Sequence, residues 1–175
     1  MPQELKIALG VDPGLRIMGV SVVEQIGSSY KVLALNVIET KKGDKKAMKG
    51  VRVAEDDQRR FIRFWDEIIY LILTHKPNCM GIECWRPFPG QMGGNAWKVG
   101  LAAQTAQCAG WHCGLRPKVF QPFDLKKRFV GTNAGSKEAV AVGIRKAVAN
   151  FDKHLEKVPK TKREHLYDAT GLAIL

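Results

Sequence analysis

Short apolar blocks punctuated by glycine and proline pattern the start of the chain, and a helical period takes over later. Residues 5–11 form a mostly apolar run that ends on Asp12-Pro13-Gly14, a turn signal directly behind a strand. Residues 17–25, rich in Val and Ile, read as a second strand, Gly27-Ser28-Ser29 turns the chain, and residues 30–39 read as a third. Three strands in series joined by tight turns predict an antiparallel meander. A lysine-rich loop opens at residue 41. Beyond it Phe61, Phe64, Trp65, Ile68 and Ile72 recur at helical spacing until Pro77 closes the helix. A short strand over 80–84 leads into a Pro/Gly-rich loop. Asn95 is placed to cap a helix over 96–113 whose face is mainly Ala, Gly, Cys and Val. Residues 118–120 make a fifth strand and a brief helix falls near 122–130. Ser136 caps a helix from 137 to about 151, and a basic linker over 157–163 precedes a last helix from Glu164. With no internal repeat and no low-complexity tract, the order predicts one α/β domain over residues 1–175, a meander feeding a sheet flanked by helices.

Composition narrows the function classes. The 175 residues are 45% hydrophobic and 26% charged, the balance of a globular chain. The longest apolar stretches, such as residues 68–73, are far too short to cross a bilayer. The N-terminus lacks a basic segment leading into an apolar one, so no export signal is read and the cytoplasm is the expected compartment. Charge is the informative quantity: 28 Lys and Arg against 17 Asp and Glu give +11. The excess is uneven. Residues 1–40 carry a net of −1, residues 41–63 carry +5 and residues 118–163 carry +8. Such blocks favour a polyanion partner, nucleic acid ahead of a membrane surface. Cys79, Cys84, Cys108 and Cys113 are too few and too irregular for a disulfide framework. Zinc would need His112 beside Cys113 and two C-x₄-C pairs in apolar segments, so buried free thiols are the expectation.

Most acidic residues fit solvated helix faces, and three do not. Asp12 ends the first strand, Glu83 ends the short strand after the long helix, and Asp168 sits among Leu166, Tyr167, Ala169 and Leu172 with His165 three positions before it on the same helical face. Carboxylates at the ends of buried strands are costly without a compensating charge, and a divalent cation supplies one. If the first and fourth strands are neighbours, Asp12 and Glu83 stand side by side, and a helix crossing that edge brings in Asp168 and His165. Hard oxygen ligands of this kind suit Mg²⁺ or Mn²⁺, and two such ions can clamp both oxygens of a phosphodiester displacement.

Leu9-Gly10-Val11-Asp12-Pro13-Gly14 resembles the opening motif of the RuvC family of Holliday junction resolvases, within the RNase H-like nuclease fold. The resemblance continues through Gly81-Ile82-Glu83 with its aromatic loop, Ala96-Trp97-Lys98-Val99-Gly100, the stretch from Phe120 to Glu138, and Asp168-Ala169 with Leu172-Ala173. It implies an RNase H-like mixed five-stranded sheet and a homodimer paired through the helix at 96–113. The implied activity is an endonuclease that resolves four-way DNA junctions by paired symmetric nicks, with two Mg²⁺ or Mn²⁺ ions per site. Asp12, Glu83 and Asp168 would bind the ions. Lys126 (or its neighbour Lys127) and Lys137 would match the two lysines near the scissile phosphate. His165 departs from the aspartate that many members carry there; it could ligate a metal, shuttle a proton or orient its neighbours. Glu164, facing another direction, is the weaker candidate.

DNA contacts are expected from Trp85, Arg86 and Phe88 in the aromatic loop, where a ring can wedge or stack on opened bases. Lys45, Lys46, Lys98, Lys127 and Arg128 are the expected phosphate contacts. Two rivals stand beside this reading, a nuclease of the same fold acting broadly on branched or flapped DNA, and a non-catalytic junction-binding protein with a decayed metal site. A phosphotransferase of the actin and sugar-kinase type would need a second nucleotide-binding half that 175 residues cannot supply. No residue identifies a helicase or other partner that would deliver the junction.

Overall fold

The apolar blocks of the first forty residues become three strands, β1 (Lys6–Asp12), β2 (Ile17–Ile26) and β3 (Ser29–Glu39), in a computed structural model that describes residues 6–41, 43, 53–84 and 96–175. Gly27, at a φ of 60°, takes the left-handed conformation the turn between β2 and β3 requires. β1 and β2 pair antiparallel, with Asp12 opposite Gly19, and β3 continues the meander on the far side of β2. After the long helix α1 (Val53–His75), β4 (Cys79–Glu83) returns parallel to β1, placing Gly10 opposite Gly81 and Val11 opposite Ile82. Helix α2 (Ala96–His112) leads to β5 (Lys118–Phe120), parallel to β4, and the sheet order is β3-β2-β1-β4-β5.

Alternation along the strands divides the core in two. On one face Leu9, Val11, Val20, Met80 and Ile82 pack with Phe64 and Ile68 of α1 and Ala102 and Ala106 of α2. The other face is covered by α3 (Pro122–Val130), α4 (Lys137–Ala147), α5 (Phe151–Leu155) and α6 (Arg163–Ile174), through Leu125, Ile144, Phe151, Leu166 and Leu172. Helix α6 lies against the middle of the sheet, and bare backbone makes this possible. A Cβ on Gly10 would fall 1.9 Å from the Ala169 carbonyl oxygen, one on Gly19 2.2 Å from that of His165, and one on Gly81 2.2 Å from that of Leu172. The buried Thr170 hydroxyl donates to Ser21 Oγ at 2.9 Å and pins the helix in register. Asp12 follows Gly10 by two residues and Glu83 follows Gly81 by two, so both carboxylates face α6.

The helix predicted from 137 to about 151 is two helices. Ser136 Oγ does accept from Ala139 N at the predicted cap, but α4 ends at Ala147 and α5 restarts at Phe151. Asn150 is the reason: its side chain accepts from Val32 N at 2.8 Å and donates to Val32 O at 3.0 Å, clasping the edge strand β3. A side chain that binds backbone this way competes with continued helix. Two other expectations change. The four cysteines are free, as expected, but Cys79 is exposed and the other three are half-buried. Asp56 and Asp57 of α1, read as solvated, are buried.

Candidate active site

β1 and β4 are neighbours, so Asp12 and Glu83 end adjacent parallel strands at one edge of the sheet. The first two turns of α6 bring His165 and Asp168 over that edge. His165 Nδ1–H donates to Asp12 Oδ2 at 2.6 Å, which fixes the ring and leaves Nε2 free of that bond. Beside α6, Leu125 of α3 is buried, and the same turn presents Lys126; Lys137 begins α4. Asp12, Glu83, Lys126, Lys137, Glu164, His165 and Asp168 line one cavity of about 340 Å³, closed on its apolar side by Pro122, Leu125 and Val140.

The electrostatics of this cavity are those of acids crowded together out of water. Burial pushes the Glu83 carboxyl up to about 8, helped by the charges of Asp12 and Asp168 and by a hydrogen bond to Asp12, with Lys137 opposing. Asp168 is pushed up to about 7, first by burial and then by Asp12, against Lys137 and His165. His165 is raised above the ordinary imidazole range by its bond to Asp12, with burial opposing. Lys137 is raised by its hydrogen bond to Glu164.

Among the described residues no three His, Cys, Asp or Glu side chains already converge on one ion position. Asp12 is engaged by His165 and hydrogen-bonded to Glu83. The donor set nevertheless fits a hard divalent cation: the carboxylates of Asp12, Glu83 and Asp168 and the imidazole of His165 share one cavity, and burial with mutual repulsion raises Glu83 and Asp168 despite Lys137. An imidazole among the oxygens favours Mn²⁺ relative to an all-oxygen set.

All six residues expected to carry chemistry, Asp12, Glu83, Lys126, Lys137, His165 and Asp168, therefore line the same cavity. Between the two adjacent lysines, Lys126 is half-buried in that lining, whereas Lys127 and Arg128 are exposed on the outer side of α3. Glu164 was set aside as facing elsewhere; it lines the cavity and holds the Lys137 ammonium. Lys98 is engaged internally rather than as an open phosphate contact. Its ammonium lies 2.7 Å from Asp57 Oδ2 and 5.2 Å from the Trp97 ring centroid, with the side chain 18% exposed. Trp85, Arg86, Phe88, Lys45, Lys46 and the Asn95 cap lie outside the described residues. Among the described residues no metal-ligand set forms at Cys113, and His112 packs on Trp65 with ring centroids 5.4 Å apart.

The sequence reading missed Arg60. This buried guanidinium donates to Thr40 Oγ1 at 2.8 Å and to Leu15 O at 2.9 Å, and reaches Asp57 at 3.4 Å. It thereby ties the turn after Asp12 to α1 and to the end of β3. The signal available was a charged pair spaced i, i+3, which is also the signal of a solvated helix face.

The chain matches the family model described as crossover junction endodeoxyribonuclease RuvC over residues 8–175. A protein of that name from Ectopseudomonas mendocina is 31% identical over 170 residues, spanning 97% of this chain and 85% of its own length. One from Porphyromonas gingivalis is 30% identical over 140 residues, spanning 80% of this chain and 67% of its own length. Among solved structures, Thermus thermophilus RuvC superposes with a TM-score of 0.73 at 23% identity, covering 96% of this chain and 91% of that one. The same protein in complex with Holliday junction substrate gives 0.74 at 21% identity, covering 97% and 91%. These two likenesses concern the fold, a mixed five-stranded sheet with helices on both faces.

Proposed function

The chain belongs to the RuvC family of crossover junction endodeoxyribonucleases, and from that premise we propose that it resolves four-way DNA junctions by metal-dependent hydrolysis, as paired symmetric nicks. The observation that carries this reading is the single cavity in which Asp12, Glu83, His165 and Asp168 meet Lys126 and Lys137. The four acidic and imidazole side chains would hold two divalent ions, Mg²⁺ or Mn²⁺, whose charge makes water nucleophilic and stabilises the leaving oxygen. Glu83, raised to about 8, and Asp168, raised to about 7, would have to be deprotonated to serve as ligands, so ion binding would release protons near neutral pH. Lys126 and Lys137 draw the scissile phosphate over the carboxylates and offset charge building on its oxygens. Glu164 holds Lys137 at the rim until a phosphate competes for it. His165, oriented by the bond from Nδ1 to Asp12, would offer Nε2 as the one nitrogen ligand of that set.

A four-way junction has two equivalent strands to cut, so a two-fold dimer supplies matched sites. The outer faces of α1 and α2 support pairing through α2. Trp97 is 55% exposed and Leu101 41% exposed, and with Phe61, Ile62 and Trp65 they line an apolar groove of about 440 Å³. No helix among the described residues is long and apolar enough to cross a membrane.

The test is cleavage of an end-labelled four-way junction beside a duplex, a flap and a Y-fork, each with Mg²⁺, Mn²⁺ or chelator. The expected result is paired nicks at symmetric positions on the four-way junction alone. Asp12→Asn should stop cutting yet leave junction binding within a few-fold, because phosphate contacts dominate affinity. Cutting of every branched substrate would replace the proposal with a broader nuclease, and binding without cutting under any metal would make the protein a junction binder.

A further inference from the structure

The strand ends beside the catalytic cavity carry a second surface that the sequence motifs do not mark. β1, β3, β4 and β5 all finish at the same edge of the sheet, so Glu39, which closes β3, lies two strands from Asp12, roughly 10 Å away at ordinary strand spacing. Around Glu39 the charge reverses. A polar cavity of about 660 Å³ is lined by Glu39, Lys41, Arg59, Arg63 and Lys162. Arg16 stands between this cavity and the catalytic one. It is exposed in the turn after Asp12, its carbonyl accepts from Thr40 N at 3.0 Å, and it lines a further cavity of about 610 Å³ that His165 also borders.

Partners account for only part of this positive charge. Lys162 pairs with Glu39, and Arg59 lies 2.8 Å from Asp56 Oδ1. No described carboxylate forms an ion pair with Arg16, Lys41 or Arg63. The hydrogen bond from Lys162, and the charges of Lys162, Lys41 and Arg16, hold the Glu39 carboxyl below its usual range, so all three cations stand within electrostatic reach of the end of β3. On the opposite flank, beyond β5, the exposed Lys127 and Arg128 of α3 make a second basic shoulder. The acidic cavity thus sits between two positive flanks on one sheet edge.

We infer that the Arg16–Lys41–Arg63 shoulder is a phosphate track for the DNA strand being cut, engaging backbone one or two nucleotides from the scissile phosphate. Consecutive phosphates of an extended strand lie roughly 6 to 7 Å apart, so the roughly 10 Å from Asp12 to the end of β3 spans one to two steps. An extended anion is the occupant the surface selects. The cations line up along a sheet edge rather than converging on a point, and the line runs into the cavity where phosphodiester chemistry is proposed. The inference rests on the nuclease reading for its direction toward Asp12.

The experiment compares wild type with the triple variant Arg16→Ala, Lys41→Ala, Arg63→Ala, and with Lys6→Ala, Lys31→Ala, at the far end of the sheet, as the control whose salt slope should match wild type. All five side chains are exposed, and Thr40 uses only the main chain of residue 16, so the fold is retained; matching melting curves verify this. Junction affinity is measured by fluorescence anisotropy across a salt series, and cleavage by single turnover at saturating enzyme. The triple variant should lower the slope of log affinity against log salt by about two to three, at close to 0.9 per lost phosphate contact, and weaken binding about 10- to 100-fold. Its saturated cleavage rate should stay within about twofold of wild type. An unchanged slope in a triple variant whose wild type binds and cuts overturns the track alone. A wild type that binds without cutting overturns the nuclease reading, and the slope difference still decides the track. A wild type that binds no junction overturns both.

Discussion

Glu83→Gln should make the metal-free protein more stable while destroying its activity. In the folded chain the Glu83 carboxyl is pushed from 4.5 up to about 8. Below pH 4.5 the group is protonated in both states and nothing is lost. Between 4.5 and about 8 the folded chain keeps a proton that the unfolded chain has released, so stability falls as the pH rises through this window. From 4.5 to 7 that is two and a half pH units at about 1.4 kcal/mol each, a ceiling of about 3 kcal/mol. Water entering the cavity reduces this to about 2 kcal/mol. Glutamine has the same shape, no charge, and an amide N–H to donate to Asp12 where the protonated carboxyl did. In chelator at pH 7 the variant should therefore melt about 4 to 8 °C above wild type, and the gap should close toward pH 4. Added Mn²⁺ or Mg²⁺ should raise the wild-type melting temperature with release of protons and leave the variant nearly unmoved. A variant that melts at or below wild type at pH 7 to 8, or a gap that persists at pH 4, would refute the claim that crowded, buried carboxylates strain this site.

Three other outcomes follow from described contacts. Gly10→Ala would drive a Cβ to 1.9 Å from the Ala169 carbonyl oxygen, so α6 must lift; a loss of about 3 kcal/mol in denaturant titrations and loss of cleavage are expected. Asn150→Ala strips Val32 of both its side-chain hydrogen bonds and should cost about 1 to 2 kcal/mol, with faster amide exchange at Val32 and cleavage intact. Lys126→Ala should slow single-turnover cleavage about 100-fold while Lys127→Ala changes it less than about threefold, and equal effects would remove the distinction between the cavity-lining lysine and the exposed one.

What a chain discloses of itself depends on whether the deciding interaction is local. The three-strand meander was legible because each strand is bounded by its own turn residues, Asp12-Pro13-Gly14 and Gly27-Ser28 among them. Asp12 and Glu83 were legible because an acid at the end of an apolar strand contradicts its surroundings within a few residues. Asp57 and Arg60 were not: their burial depends on Leu15, Thr40 and Lys98, supplied from distant segments, and the same spacing in a solvated helix looks identical. Glu164 was misjudged because a helical wheel assigns directions without knowing that Lys137 begins another helix across the cavity. The break between α4 and α5 escaped for a related reason, since Asn150 interrupts a helix only when Val32 is there to receive it.

The bed of Gly10, Gly19 and Gly81 has a consequence for when the protein becomes able to cut. Synthesis proceeds from the N-terminus at about 5 to 20 residues per second. A chain extended through α4 already carries the whole sheet, Asp12, Glu83 and both cavity lysines, with its glycine bed bare. His165 and Asp168 arrive only with α6, and the fit of that helix onto bare backbone leaves no shallower seat in which they would do partial duty. A nascent chain should thus stay unable to cut DNA until α6 docks.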